Sequence, residues 1–435
     1  MRPPADTARA PLSPTSPPTG PDLPLSPARA WAMLLILSSA FLLSQAFRTI
    51  AAIMAAPLAQ EFGLSAQALG VFAGAFHFAF GALQLFMGIG IDLQGLRRTV
   101  LVAFPLAILG AVLSALAPSF QWLLLGQVLI GIGCAPAFLV CTVFIARQFA
   151  PERFAAVSGA ILGFGSVGML LTGTPLAWLI EASSWRMGFW VLAALSVVAW
   201  GAIAMCVREP RPAAAAGAPR ESLGQAVRTF GGLLLMPHTL GIVVLALVTY
   251  ASFVALRGLW LGPMLMQRHG FSLIASGNVA LIMTLIAMFS PPLFGRLDPG
   301  PARRRRWIAG FTLLVAALFG AMGFAVNAVL DVALIMAVGF LSGYMVLQYP
   351  DVKGAYPAAV TGRAMALFTM AMFLGVALMQ WLTGAIATFA QRQGVDPFLA
   401  VFMAIGALLA AGAAGFVWLP KPPAASVPAA LPAAR

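Results

Sequence analysis

Apolar residues run along this chain in long stretches separated by short polar breaks, not in the period-two or period-3.6 alternation of soluble strands and helices. Crossing about 30 Å of hydrocarbon takes about 20 helical residues at 1.5 Å each. Twelve stretches reach that length, at roughly 30–58, 67–91, 99–118, 121–146, 154–180, 187–207, 238–266, 274–296, 306–326, 331–352, 362–390 and 396–419. Lipid offers the backbone no hydrogen-bond partners, so each stretch predicts a helix that satisfies its own peptide groups. The expectation is an all-α integral membrane protein with twelve transmembrane helices.

Composition agrees: 61% of the 435 residues are hydrophobic and 9% are charged, against about 25% charged in a soluble domain. Residues 1–29 and 420–435, rich in Pro, Ser, Thr or Ala, predict disordered tails and not a cleaved signal. A polar linker at 208–237 separates the first six spans from the second six, and its ESLGQAVRTF predicts a short surface helix. Cys134, Cys141 and Cys206 show neither metal-ligand spacing nor a disulfide framework, so no metal or cofactor is expected.

The net charge of +13 changes the picture only through its distribution. Taking alternate loops from the N-terminal tail, the opposite side has Arg186, Arg268 and Arg392 alone. Arg48 and Arg257 lie inside spans, and every other Lys and Arg falls on the side of the termini. The bias follows the positive-inside rule with both termini cytoplasmic, and it makes a bilayer, not nucleic acid, the partner.

The two halves repeat. GIGIDLQGLRR follows span 2 and FGRLDPGPARRRR follows span 8, with Asp92 and Asp298, Arg97 and Arg303, and Arg98 and Arg304 all 206 residues apart. Ala-Pro at 150–151 and Tyr-Pro at 356–357 keep that offset, and Arg48 and Arg257 differ by 209. Parallel repeats place transporter sites at their interface.

Twelve spans in two halves, with G-x-x-x-D-x-x-G-x-R-R between spans 2 and 3 and a weaker copy between spans 8 and 9, resemble the major facilitator superfamily over about residues 30–419. The resemblance implies two six-helix bundles, 30–207 and 238–419, around a central cavity that opens alternately to each side. It implies conformational gating by Asp92, Gly95, Arg97 and Arg98, and by Asp298 and Arg303 in the second copy. Leu93 departs from the pattern, which usually has Arg after the Asp. Gln127 in span 4 stands where proton-coupled members carry Arg, and the span 5 glycines with Pro175 match the antiporter motif of drug exporters only with a one-residue shift.

Two residues demand an account of their own. An arginine at the bilayer centre costs about 3 kcal/mol on insertion scales, and Arg48 and Arg257 sit well inside spans 1 and 7 with no mid-span Asp or Glu. Two guanidinium forks at symmetry-related positions suit a carboxylate or phosphate. The pairing resembles the organophosphate:phosphate antiporter branch, which implies that Arg48 and Arg257 grip an anion. The plainer alternative is that each bonds helix-end carbonyls or nearby Gln side chains.

Gln45, one turn before Arg48, Trp260, three residues after Arg257, and Gln348 join them as substrate-binding expectations. His77, the histidine deepest in a span, is the candidate for proton coupling. The function expected is secondary active transport of a small organic or inorganic anion, by exchange or proton coupling, in a bacterial inner membrane, with one chain sufficient as a monomer. A drug or siderophore exporter is the alternative within transport, and a transporter-like sensor is the alternative outside it. No Ser-His-Asp set, carboxylate pair or metal cluster lies at span depth, so enzyme chemistry is not expected.

Overall fold

The computed structural model describes residues 26–150, 153–208, 231–324, 327–420 and 422. Most of the expected tails and linker therefore lies outside the described residues. All regular structure among the described residues is helical. Eleven helices there are long and apolar enough to cross a membrane. The twelfth stretch, span 2, is the 17-residue helix Ala66–Ala82, which resumes after Leu83 as Gln84–Gln94. Twelve stretches thus remain, several of them interrupted.

In the first bundle, span 1 is Pro27–Thr49 continued by Ala51–Phe62, span 3 is Leu96–Ala115 and span 6 is Trp185–Cys206. Span 4 is divided at Ala135-Pro136 (Phe120–Cys134, Ala137–Gln148), and span 5 at Thr172-Gly173 (Phe154–Leu171, Thr174–Ala182). In the second bundle, span 7 is Pro237–Ala255, a wide π-turn at Leu256–Trp260, then Leu261–His269. Spans 8 (Leu273–Arg296), 9 (Pro301–Phe324), 11 (Ala358–Arg392) and 12 (Pro397–Trp418) are continuous, while span 10 tightens at Ser342–Leu347 between Ala328–Leu341 and Gln348–Ala355.

The internal repeat extends to the turns. Gly63 and Gly270 end the first helix of each bundle with φ of +61° and +67°, a conformation that glycine adopts without a Cβ clash. Two residues on, Ser65 Oγ accepts from Ala68 N and Ser272 Oγ from Ala275 N, capping the second helix of each bundle.

On the side away from the termini, each bundle is stapled by charge. Arg186, opening span 6, meets Glu61 at the end of span 1 at 2.6 and 2.9 Å, and donates to the Ala117 carbonyl at the end of span 3. Arg268, ending span 7, meets Asp396 before span 12 at 2.6 Å and donates to the carbonyls of Met322 and Gly323 at the end of span 9. Asp331, fully buried, adds a 2.6 Å bond from His269.

That same side is where the bundles close on each other. Methyl groups added at Gly70, Gly262 and Gly384 would overlap the backbone oxygens of Gln380, Ala52 and Ala66 across the interface. Gln67 N donates to Thr388 Oγ1, Thr174 Oγ1 to Asn278 Oδ1, and Ile274 N to Glu181 Oε1. Backbone approaches backbone because the side chains are small. Spans 1 and 7, 2 and 11, and 5 and 8 thereby seal the far face.

Candidate functional site

Span 1 places Arg48 two residues before its helix break at Ile50, facing the second bundle. The side chain is 5% exposed. Its Nη1 donates to Tyr250 Oη of span 7 at 3.0 Å, and its guanidinium stands 5.0 Å from the Phe80 ring centre and 4.6 Å from that of Phe373. Its Nε is buried with no acceptor among the described residues. Spans 1, 2, 7 and 11 thus build a cage of one hydroxyl and two aromatic faces around a cation. Such faces attract a cation without neutralising it. Tyr349 is 41% exposed while lying within electrostatic reach of Arg48 and Tyr250, so its ring borders the same region.

Arg257, in the π-turn of span 7, points the other way. It is fully buried; Nε donates to Thr284 Oγ1 of span 8 and Nη2 to the carbonyl of Met169 in span 5, both at 2.9 Å. That carbonyl belongs to the last turn of Phe154–Leu171, where Thr172-Gly173 breaks the helix and leaves oxygens without intrahelical donors. Thr172 Oγ1 supplies one donor and Arg257 a second, with the cation at the negative end of the helix dipole. A π-turn often marks a functional position, and here it carries the arginine.

Each arginine therefore crosses to the opposite bundle. The sequence expectation of two open guanidinium groups needs one correction: both have protein acceptors, and Arg257 satisfies a helix end, leaving only Nη1 without a partner. Among the described residues no carboxylate pairs with either.

Gln45 stands at the same junction, with Nε2 3.8 Å from Met169 Sδ and Oε1 buried without a donor. Trp260 and Gln348 bond inside their own bundle, Trp260 Nε1 to Thr383 Oγ1 at 3.0 Å and Gln348 Nε2 to Thr249 Oγ1 at 3.1 Å. His77 Nδ1 donates to the Ala73 carbonyl at 3.0 Å, and its Nε2 is buried without a partner, within reach of Gln380 and Arg48. Neither amide atom of Gln380 has a hydrogen-bond partner among the described residues.

The gating residues divide. Asp92 lies in the helix Gln84–Gln94, and its side chain is outside the described residues. Gly95 turns the chain with φ +84°, and Arg97 donates to the Ala204 carbonyl at 2.7 Å, while Arg98 is exposed. In the second copy Asp298 grips Arg304 through three contacts of 2.6 to 3.1 Å and accepts from Gly300 N. The residue beside it, Arg303, is exposed. The helix begins at Pro301, so adjacent arginines point about 100° apart and only Arg304 faces the loop. This pairing holds the Asp298 carboxyl below its ordinary range.

Tyr250, Phe80 and Phe373 were invisible as site residues in the sequence. Aromatic residues at apolar positions carry no signal that separates a cavity wall from a core.

A family model described as Major Facilitator Superfamily matches residues 36–352. The chain belongs to this superfamily. An uncharacterized MFS-type transporter of Mycobacterium tuberculosis is 26% identical over 329 residues, covering 73% of this chain and 40% of that one. The match thus spans about two fifths of that relative's length. An MFS-type efflux pump of Mycolicibacterium smegmatis is 27% identical over 371 residues, with 80% and 82% covered. The hexuronate transporter of Escherichia coli is 24% identical over 419 residues, with 87% and 92% covered. Among solved structures, a nucleoside transporter superposes with a TM-score of 0.71 at 14% identity over 89% of this chain and 99% of that one. This superfamily member has the superfamily's fold.

Proposed function

We propose that this membrane protein is a secondary active transporter of a small organic anion, with Arg48 as the group that binds the anion's carboxylate or phosphate. The observation that carries this reading is the Arg48 cage. Its cation sits at the bundle interface facing a hydroxyl and two rings, with no counter-charge among the described residues. An anion supplies the missing charge, and Tyr250, which accepts from Arg48, keeps its own hydroxyl hydrogen to donate. The likeness to a hexuronate transporter, whose named substrate is a sugar carboxylate, supports the class.

Arg257 serves this reading as a latch. It ties span 7 to the broken span 5 while the far face is closed, and the bond must part when the bundles rock. Transport then proceeds by alternating access, with Gly70, Gly262 and Gly384 marking the seal to be opened. By the positive-inside bias the termini are cytoplasmic, in a bacterial inner membrane. Bringing one negative charge inward against 100 mV costs about 2.3 kcal/mol, so uptake needs exchange or a cotransported proton, for which His77 is the candidate. One chain holds both bundles, so a monomer suffices.

A second reading, export of an apolar compound, is favoured by the aromatic faces of Phe80, Phe373 and Tyr349 and by the likeness to an efflux pump. The two readings part in a thermal-shift screen of the purified protein against sugar acids, dicarboxylates, phosphate esters and hydrophobic cations. A specific ligand at one hundred times its dissociation constant stabilises by about 2.7 kcal/mol. An anion that shifts the wild type and not Arg48→Gln supports the first reading; a shift by hydrophobic cations alone supports the second.

A further inference from the structure

Four consecutive arginines, Arg303 to Arg306, open span 9, and the fold uses only two of them. Arg304 is held by Asp298. Arg305 meets Asp351 at 3.2 Å, donates to the Phe416 carbonyl and lies 3.9 Å from the Phe416 ring centre. Arg303 and Arg306 are exposed, and neither has an acceptor among the described residues. They are three apart, hence neighbours on one helix face.

That face continues as Trp307, Gly310 and Leu314, all exposed. Arg306, Trp307, Gly310, Phe311 and Leu314 line a groove of about 290 Å³. Gly310 has no heavy atom near the position a Cβ would take, and the absence of a side chain there leaves the groove open. The Trp307 ring packs edge-on against Phe311 at 5.8 Å, while its indole N–H has no acceptor among the described residues. From the start of span 9 inward, the order is two free guanidinium groups, an amphipathic indole, and then an apolar trough.

We infer that this face binds an anionic phospholipid, with the phosphate on Arg303, Arg306 and the Trp307 indole N–H and one acyl chain along Gly310, Phe311 and Leu314. The order of groups matches the order in the ligand, charge first and hydrocarbon beyond it. Basic clusters at the end of a span attract anionic headgroups, and tryptophan favours the level where headgroup meets chain. Among the described residues these two arginines have no carboxylate to leave when a phosphate binds. Arg304 and Arg305 are structural in this scheme and take no part in binding.

Native mass spectrometry of the full chain, titrated in detergent with phosphatidylglycerol, phosphatidylcholine or inorganic phosphate, tests this. Phosphatidylglycerol should be retained at a saturable site, and Arg303→Gln with Arg306→Gln should weaken retention about tenfold or more, at about tenfold per 1.4 kcal/mol. Gly310→Leu, which fills the trough and leaves both arginines, should weaken retention as well. Melting temperatures without lipid identify any variant that has lost its fold, and for such a variant Arg303→Lys with Arg306→Lys, which keeps charge but loses the fork, replaces it and should retain less phosphatidylglycerol than wild type. Equal retention of phosphatidylcholine, undiminished retention by the folded arginine variants, or an equal melting shift with inorganic phosphate alone would overturn the proposal.

Discussion

Arg257 donates to the carbonyl of Met169 at 2.9 Å, and that bond joins the π-turn of one bundle to the broken helix of the other. Replacing Arg257 with Gln should lower thermal stability by about 1–3 kcal/mol, the usual range for leaving buried polar groups unpaired. Arg257→Lys should fall between, because a single ammonium cannot serve Thr284 and Met169 as a fork does. Differential scanning fluorimetry in detergent reads both. Wild-type melting in both variants would remove the latch.

Tyr250 should matter to binding without being essential. Tyr250→Phe keeps the ring and removes one hydrogen bond of about 0.5–1.5 kcal/mol, so anion affinity should fall by about two- to tenfold. Arg48→Gln should abolish the anion-induced melting shift outright. Isothermal titration with the best anion from the thermal screen compares the two, and equal losses would contradict the division of roles.

The far-face seal depends on the absence of side chains. Leu at Gly70 or Gly384 meets backbone across the interface, which cannot move aside as a flexible side chain can. These variants should shift the population toward a far-side-open state, measured as a longer span 2 to span 11 distance by electron-spin resonance between labels at Gln67 and Thr388. An unchanged distance distribution would show that the seal tolerates the bulk.

Asp298 predicts a pH dependence. Folding lowers this carboxyl's proton affinity through Arg304. Its contribution to stability is present above the ordinary carboxylate range and is lost as acidification passes through and below that range. Asp298→Asn should therefore melt lower than wild type at neutral pH, with the gap closing in acid. A gap that stays constant with pH would mean the loss is packing and not charge.

Glu61 and Arg186 are each more than a third exposed, so their staple should be worth about 0.5 kcal/mol after solvent screening. Glu61→Gln should lower the melting temperature slightly. The exchange of Glu61→Arg with Arg186→Glu should recover part of the loss, a recovery that added salt erases.

The sequence carried most of the architecture, because membrane length and backbone satisfaction leave few options for a 20-residue apolar run. It also carried Arg48 and Arg257, since charge inside a span stands out against its surroundings. What it could not carry was direction. Arg257 and Trp260 are three residues apart, yet one crosses the interface and the other bonds Thr383 in its own bundle, a division made by the π-turn between them. The choice of Arg304 over Arg303 has a similar origin, since it turns on where the helix starts. Tyr250 and Phe373 became site residues only through packing between chain segments more than 100 residues apart.

The two far-side staples place their arginines on opposite partners. In the first bundle the acid ends the opening span and Arg186 begins the last; in the second Arg268 ends the opening span and Asp396 precedes the last. Yet both arginines reach the end of the third helix, at Ala117 and at Gly323, 206 positions apart. The same contact therefore occurs in one chain with both polarities. Reversing one partner alone would set two like charges face to face, so each polarity holds only as a matched pair. The inverted staples label each half with a polarity by which grafted or shuffled halves could be told apart.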